Sequence, residues 1–74
     1  MTLEQLDKQY IIQTYDRNYI NFKKGINATL YDEKNNDYID FTSGIGVVSI
    51  GHGNKKIANA ICKQVSNITH ISNL

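Results

Sequence analysis

All but one of the five glycines of this 74-residue chain fall in Thr42-Ser43-Gly44-Ile45-Gly46-Val47-Val48-Ser49-Ile50-Gly51-His52-Gly53. Ile and Val interleave with them, so the segment is no flexible Gly/Ser spacer. Its glycines instead permit special dihedrals or the close approach of another group. The sequence on its two flanks has different periods. Upstream, Tyr19-Ile20-Asn21-Phe22-Lys23, Ala28-Thr29-Leu30-Tyr31-Asp32 and Asp37-Tyr38-Ile39-Asp40-Phe41 are short runs rich in aromatic and β-branched residues, each read as a strand. Lys24-Gly25 with Asn27, and Glu33-Lys34-Asn35-Asn36, supply turn chemistry between them, predicting an antiparallel meander over 19–41. Ile39 and Phe41 share one face of its third strand and Tyr38 and Asp40 the other, a pattern for a sheet covered on one side. Downstream, Asn54 stands as an N-cap, and the stripe Ile57, Ile61, Val65 and Ile68 predicts a helix over 54–70. At the other end, Thr2 and Gln5 form a capping-box pattern ahead of Leu3, Leu6 and Tyr10, predicting an N-terminal helix within 1–14 whose body runs over about 3–13.

This helix, meander, glycine loop and helix is an α+β arrangement too small for more than one domain. Ordering it costs about 75–150 kcal/mol of conformational entropy, and a domain this short hides only about three-fifths of its unfolded surface. A single Cys62 forms no internal disulfide, and one thiol with two histidines is a poor zinc set. A partner surface or more chain is the remaining source of stability, and the end at Leu74, without a polar tail, reads as cut off. A net charge of +1 with scattered basic residues does not suit nucleic acid or an anionic membrane. With no apolar h-region and no run near the ~20 residues of a membrane span, the chain reads as soluble and cytoplasmic. The sequons at Asn27 and Asn67 are then chance matches.

The candidate chemistry is sparse. Gly44-Ile45-Gly46-Val47-Val48-Ser49 puts Ser49 where a dinucleotide fingerprint needs its third glycine, and the next helix starts too late to meet a pyrophosphate. Gly53-Asn54-Lys55-Lys56 lacks the spacing and hydroxyl of a P-loop. Cys62 has no His or acid one helical turn away and reads as filler. His52 and His70 are separated by a whole helix, so they do not share a metal, and both read as structural, His70 as a partner of the helix C-terminus. Asp32, Asp37 and Asp40 read as solvated hairpin charges. No catalytic constellation is complete.

The ordered pieces Tyr15-Asp16-Arg17, Phe22-Lys23-Lys24-Gly25, Leu30-Tyr31-Asp32, Tyr38-Ile39-Asp40-Phe41, Ser43-Gly44-Ile45-Gly46-Val47, Gly51-His52, Ala60-Ile61, Gln64 and His70-Ile71-Ser72-Asn73-Leu74 resemble the N-terminal part of the class III pyridoxal-phosphate aminotransferases. Tyr19 and Asn54-Lys55 stand where that family usually has proline and a His-Pro pair. The resemblance implies an α/β enzyme of aminotransferase fold type I, of which residues 1–74 are an α+β segment without the large cofactor domain. It implies transfer of the terminal amino group of N-acetylornithine to 2-oxoglutarate through pyridoxal phosphate, in a homodimer serving arginine biosynthesis. Ornithine, succinylornithine, succinyldiaminopimelate and 4-aminobutyrate remain alternative donors, and a small non-enzymatic interaction module remains the alternative from another class. By the same resemblance, Tyr15 matches a tyrosine that helps hold a substrate carboxylate, and Ile45 a position lining the substrate mouth formed by loop 42–53. The catalytic and cofactor-binding residues would lie outside this chain, leaving it inactive alone.

Overall fold

Side-chain caps start both long helices of the computed structural model, which describes all 74 residues. Helix α1 spans Leu3–Tyr10. The Thr2 hydroxyl accepts from the Gln5 amide at 3.1 Å while the Gln5 side chain accepts from the Thr2 amide at 2.8 Å, the reciprocal pattern of a capping box. Glu4 and Lys8 pair one turn apart at 2.9 Å. The helix stops short of residue 13 because Ile11, first of a β-branched pair, turns to extended backbone (φ −108°, ψ 134°).

The meander forms in the expected order. Strands β1 (Phe22–Ile26), β2 (Thr29–Asp32) and β3 (Asp37–Ile39) make one antiparallel sheet, β1-β2-β3. Ile26 pairs with Thr29 across a two-residue turn whose first residue, Asn27, has φ 52°. Thr29 pairs with Ile39 and Tyr31 with Asp37 on the other side. Tyr19–Asn21, read as the start of the first strand, lies outside the sheet, and an irregularity between Phe22 and Lys24 offsets the register at its edge. The Phe22 and Tyr38 rings meet edge to face at 5.3 Å on one side of the sheet.

Asp32 corrects the reading of the hairpin carboxylates as solvated. It is the one buried residue of the chain, at 8 % exposure. Its carboxylate accepts from the Lys34 and Asn36 amides, both at 2.9 Å, and from the Asn36 side chain and the Tyr38 hydroxyl, both at 3.0 Å. These bonds, led by that of the Asn36 side chain, lower its pKa, and the bond from the Tyr38 hydroxyl raises the pKa of Tyr38.

Helix α2 spans Lys55–Val65, and Asn54 caps it through bonds from the Lys56 and Ile57 amides at 3.0 and 3.1 Å. It ends before residue 70 because Ser66 and Asn67 turn their side chains back onto the Cys62 and Lys63 carbonyls, at 2.7 and 3.1 Å. His70 therefore lies beyond the helix and caps nothing there.

No apolar side chain is buried. Only the strands pack on one another, and both helices leave their apolar faces open: Leu3 is 63 % and Ile61 61 % exposed. The radius of gyration is 16.1 Å, against about 11 Å for a compact domain of this length. The accessible surface is 6933 Å², against about 4,600 Å² for a folded monomer of this mass. The excess lies on faces shaped to be covered.

Candidate functional site

A second polar cluster joins the end of the sheet to the lead-in of α2. Asn27, in the β1–β2 turn, donates to the His52 carbonyl at 3.0 Å and accepts from the His52 amide at 2.8 Å, an isolated antiparallel bridge. Two glycines permit this approach. A Cβ at Gly25 would stand 2.6 Å from His52 Cβ, and one at Gly51, whose φ is 91°, would stand 2.9 Å from Asn27 Cα. With its backbone so pinned, His52 places its ring nitrogen Nε2 2.6 Å from Asp40 Oδ2, just past the end of β3. The other oxygen of Asp40 accepts from the Ser43 amide at 2.9 Å. The His52 bond, with that from Ser43 after it, holds the Asp40 pKa below the ordinary carboxylate range. Neither residue was legible as more than a hairpin charge and a structural histidine. The signal was spacing too long for local pattern reading, the two lying twelve positions apart.

Asp40 thereby anchors the start of an unusual turn. Ser43–Gly46 is a single helical turn, but its residues are left-handed: φ is 52° at Ser43, 59° at Gly44, 57° at Ile45 and 81° at Gly46. The glycines were expected to take special dihedrals, and Ser43 and Ile45 take them too. For a β-branched residue this region is a genuine outlier, costing about 1–2 kcal/mol, and persists only where surrounding bonds over-determine it. Here the Gly46 amide donates to the Thr42 carbonyl at 3.2 Å and the Val48 amide to the Ser43 carbonyl at 2.9 Å. The turn projects Ile45, 91 % exposed. Behind it, residues 47–54 and the first turns of α2 line an open, mainly apolar groove of about 610 Å³ that includes His52, Ile57 and Ile61.

Tyr15 stands elsewhere, in the extended segment before β1, with its side chain 75 % exposed. The Arg17 guanidinium lies 5.8 Å from its ring. That segment is tied to α1 through Asp7, which accepts from the Tyr19 hydroxyl at 2.9 Å and from the Gln13 side chain at 3.3 Å, with Arg17 at 3.5 Å. The Tyr19 bond is the largest cause of the lowered Asp7 pKa, and the same bond raises that of Tyr19. Tyr15 and Ile45 thus sit on separate segments, one tied to α1 and the other to the sheet.

No group of three or more His, Cys, Asp and Glu side chains is placed to hold a metal ion. Every lysine is exposed, whereas an amine that forms a Schiff base is activated by desolvation or a neighbouring cation. The first free amides of α2 already bond Asn54. The residues present therefore do not frame a pyridoxal phosphate.

What they frame is a recognisable segment. Residues 10–74 match the profile of the family described as aminotransferase class-III. The chain belongs to the class-III aminotransferases. It is 55 % identical over 71 residues to an acetylornithine aminotransferase of Wolinella succinogenes, covering 96 % of this chain and 18 % of that protein. The ornithine aminotransferase of Toxoplasma gondii superposes with a TM-score of 0.84 at 30 % identity over 95 % of this chain and 16 % of its own; that structure is described as holding PLP at partial occupancy in its active site. The N-acetylornithine aminotransferase of Stenotrophomonas maltophilia gives 0.78 at 25 % identity over 96 % of this chain and 18 % of its own. The chain spans less than a fifth of the length of each. These similarities establish the fold as part of the pyridoxal-phosphate aminotransferase fold, an α/β architecture of which this chain is the helix, meander and helix.

Proposed function

We propose that the chain is the N-terminal portion of an aminotransferase that moves the terminal amino group of N-acetylornithine to 2-oxoglutarate, and that it is inactive alone. The observation carrying this reading is the 55 % identity to an acetylornithine aminotransferase across nearly the whole chain. The uncovered apolar faces support the second half, since they call for further protein around this segment. Pyridoxal phosphate, held by residues outside this chain, would supply the electron sink in the intact enzyme. This chain's own residues bind and sort substrate. The Tyr15 hydroxyl donates a hydrogen bond to a substrate carboxylate, beside the positive charge of Arg17. Ile45 offers an apolar wall to the aliphatic part of the amine, and loop 42–53 forms the mouth around it. The open faces of α1 and α2 find cover on the large domain or the second subunit of a homodimer. No helix is long and apolar enough to cross a membrane; a cytoplasmic place in arginine biosynthesis belongs to the acetylornithine reading.

Ornithine as the donor is a second reading, favoured by the 0.84 TM-score to an ornithine aminotransferase. Steady-state rates of the intact enzyme with 2-oxoglutarate and each amine decide between them. N-acetylornithine is expected to give the highest kcat/KM, by about tenfold or more over ornithine. A preference for ornithine establishes the second reading, and no amino transfer from any donor refutes both.

A further inference from the structure

Two side chains bond the left-handed turn that carries Ile45: the Ser49 hydroxyl donates to the Gly46 carbonyl at 3.2 Å, and Asp40, at the start of the turn, is itself held from a distance. Asp40 uses one oxygen on the Ser43 amide at 2.9 Å and the other on His52 Nε2 at 2.6 Å. His52 is fixed in turn by two backbone bonds to Asn27 and by its packing on Gly25, where no β-carbon fits. The Asp40 and His52 side chains are 11 % and 23 % exposed, so solvent competes little for the bond between them. Ile45 itself makes no comparable contact; at 91 % exposure its position is set by the backbone of the turn alone.

We infer that Asp40 and His52 are positioning residues for amine selection: through the Ser43 amide they fix the strained turn that presents Ile45 to the substrate. The inference rests on the reading of Ile45 as part of the substrate mouth. Loss of the Asp40–His52 bond frees the turn to leave its left-handed geometry, because relaxing Ile45 to ordinary dihedrals is downhill once its anchor is loose. The side chain then leaves the mouth, and selectivity falls before catalysis does. A residue that only supported the fold would lower activity with every amine alike.

The experiment measures kcat/KM of the intact enzyme for N-acetylornithine and for ornithine, in the wild type and in Ile45→Ala, His52→Ala, Asp40→Asn and His52→Gln. Ile45→Ala is expected to change the ratio of the two by about tenfold. His52→Ala and Asp40→Asn should change it in the same direction by about fivefold, and adding His52→Ala to Ile45→Ala should change it no further, the signature of two residues acting through one element. His52→Gln keeps a donor near the position of Nε2 and should bring the ratio back to within about twofold of wild type. Should His52→Ala not fold, Asp40→Asn, which keeps an acceptor for the Ser43 amide, and His52→Gln carry the comparison. An unchanged ratio in Asp40→Asn and His52→Ala, beside a changed one in Ile45→Ala, overturns the inference alone. An unchanged ratio in Ile45→Ala overturns it together with the placement of Ile45 at the mouth, and a wild type that transfers neither amino group overturns the proposed function with both.

Discussion

Replacing Gly25 by alanine isolates the contact on which the whole cluster depends. Gly25 lies in β1 and has no left-handed φ, so alanine meets no backbone strain there, and the loss of chain freedom in the unfolded state would alone favour folding by about 0.4–1 kcal/mol. Against that, the added carbon would stand 2.6 Å from His52 Cβ and 2.7 Å from Cγ. These atoms sit near a backbone held by two hydrogen bonds, so they have little room to yield. Overpacking of this kind costs about 1–3 kcal/mol. The steric term wins, leaving a net penalty of about 1–2 kcal/mol on the closed bridge. If the bridge opens locally, the Asn27 and His52 amides should exchange with solvent about 5–30 times faster. Hydrogen exchange of the intact enzyme, read by mass spectrometry on peptides covering those amides, measures this directly. The amides joining β2 to β3 serve as the internal reference and should not change. Unchanged exchange at Asn27 and His52 would refute the packing argument, and acceleration spread equally over the sheet would refute the idea that the bridge opens as a unit.

Other consequences follow from the same geometry. Asn54→Ala removes the acceptor for two amides of α2 and should destabilise that helix by about 0.5–2 kcal/mol, seen as faster exchange in its first turn and not in α1. In a tyrosinate absorbance titration of the chain, Tyr19 and Tyr38 should ionise above the usual value of 10.0, and Asp32→Asn should bring the late step of Tyr38 down while leaving that of Tyr19 in place. Asp32 has its pKa lowered from 3.8 in the folded turn, so near that pH the folded turn binds fewer protons than the unfolded one. Its stabilisation is complete above 3.8 and fades as the pH falls through the lowered native value, which an acid titration of the Asn36 amide and side-chain resonances should register. Loss of those resonances' folded positions at neutral pH instead would contradict the assignment.

Local chemistry was legible in the sequence where bonding partners lie within three or four residues. Thr2 with Gln5 and Asn54 with the following amides each cap a helix as their spacing requires. The strand order came from aromatic and β-branched runs divided by Asn and Gly, and it too is a short-range signal. Helix ends were less legible. The apolar stripe continues to Ile68, but Ser66 and Asn67 compete for the last carbonyls and stop α2 at Val65. The fold of residue 32 was misread because a lone aspartate in a turn is usually wet, whereas here Asn36 and Tyr38 close over it. In the candidate site, the glycine cluster did announce unusual dihedrals, yet nothing in Ser43 or Ile45 as residue types announces a positive φ. The Asp40–His52 bond was invisible for the same reason that makes it informative: its partners lie twelve positions apart in the chain and meet only in the fold, where the β1–β2 turn bridges Asn27 to His52.

The claim under all of this is that the segment works as part of a larger aminotransferase. The intact mass of the native gene product, taken from its source cells, tests that claim most directly. The account predicts a mass several times the 8.4 kDa of this chain, in keeping with relatives of which it spans 18 %. A native product of 8.4 kDa would contradict it, leaving the exposed faces of α1 and α2 to a binding role without transaminase chemistry.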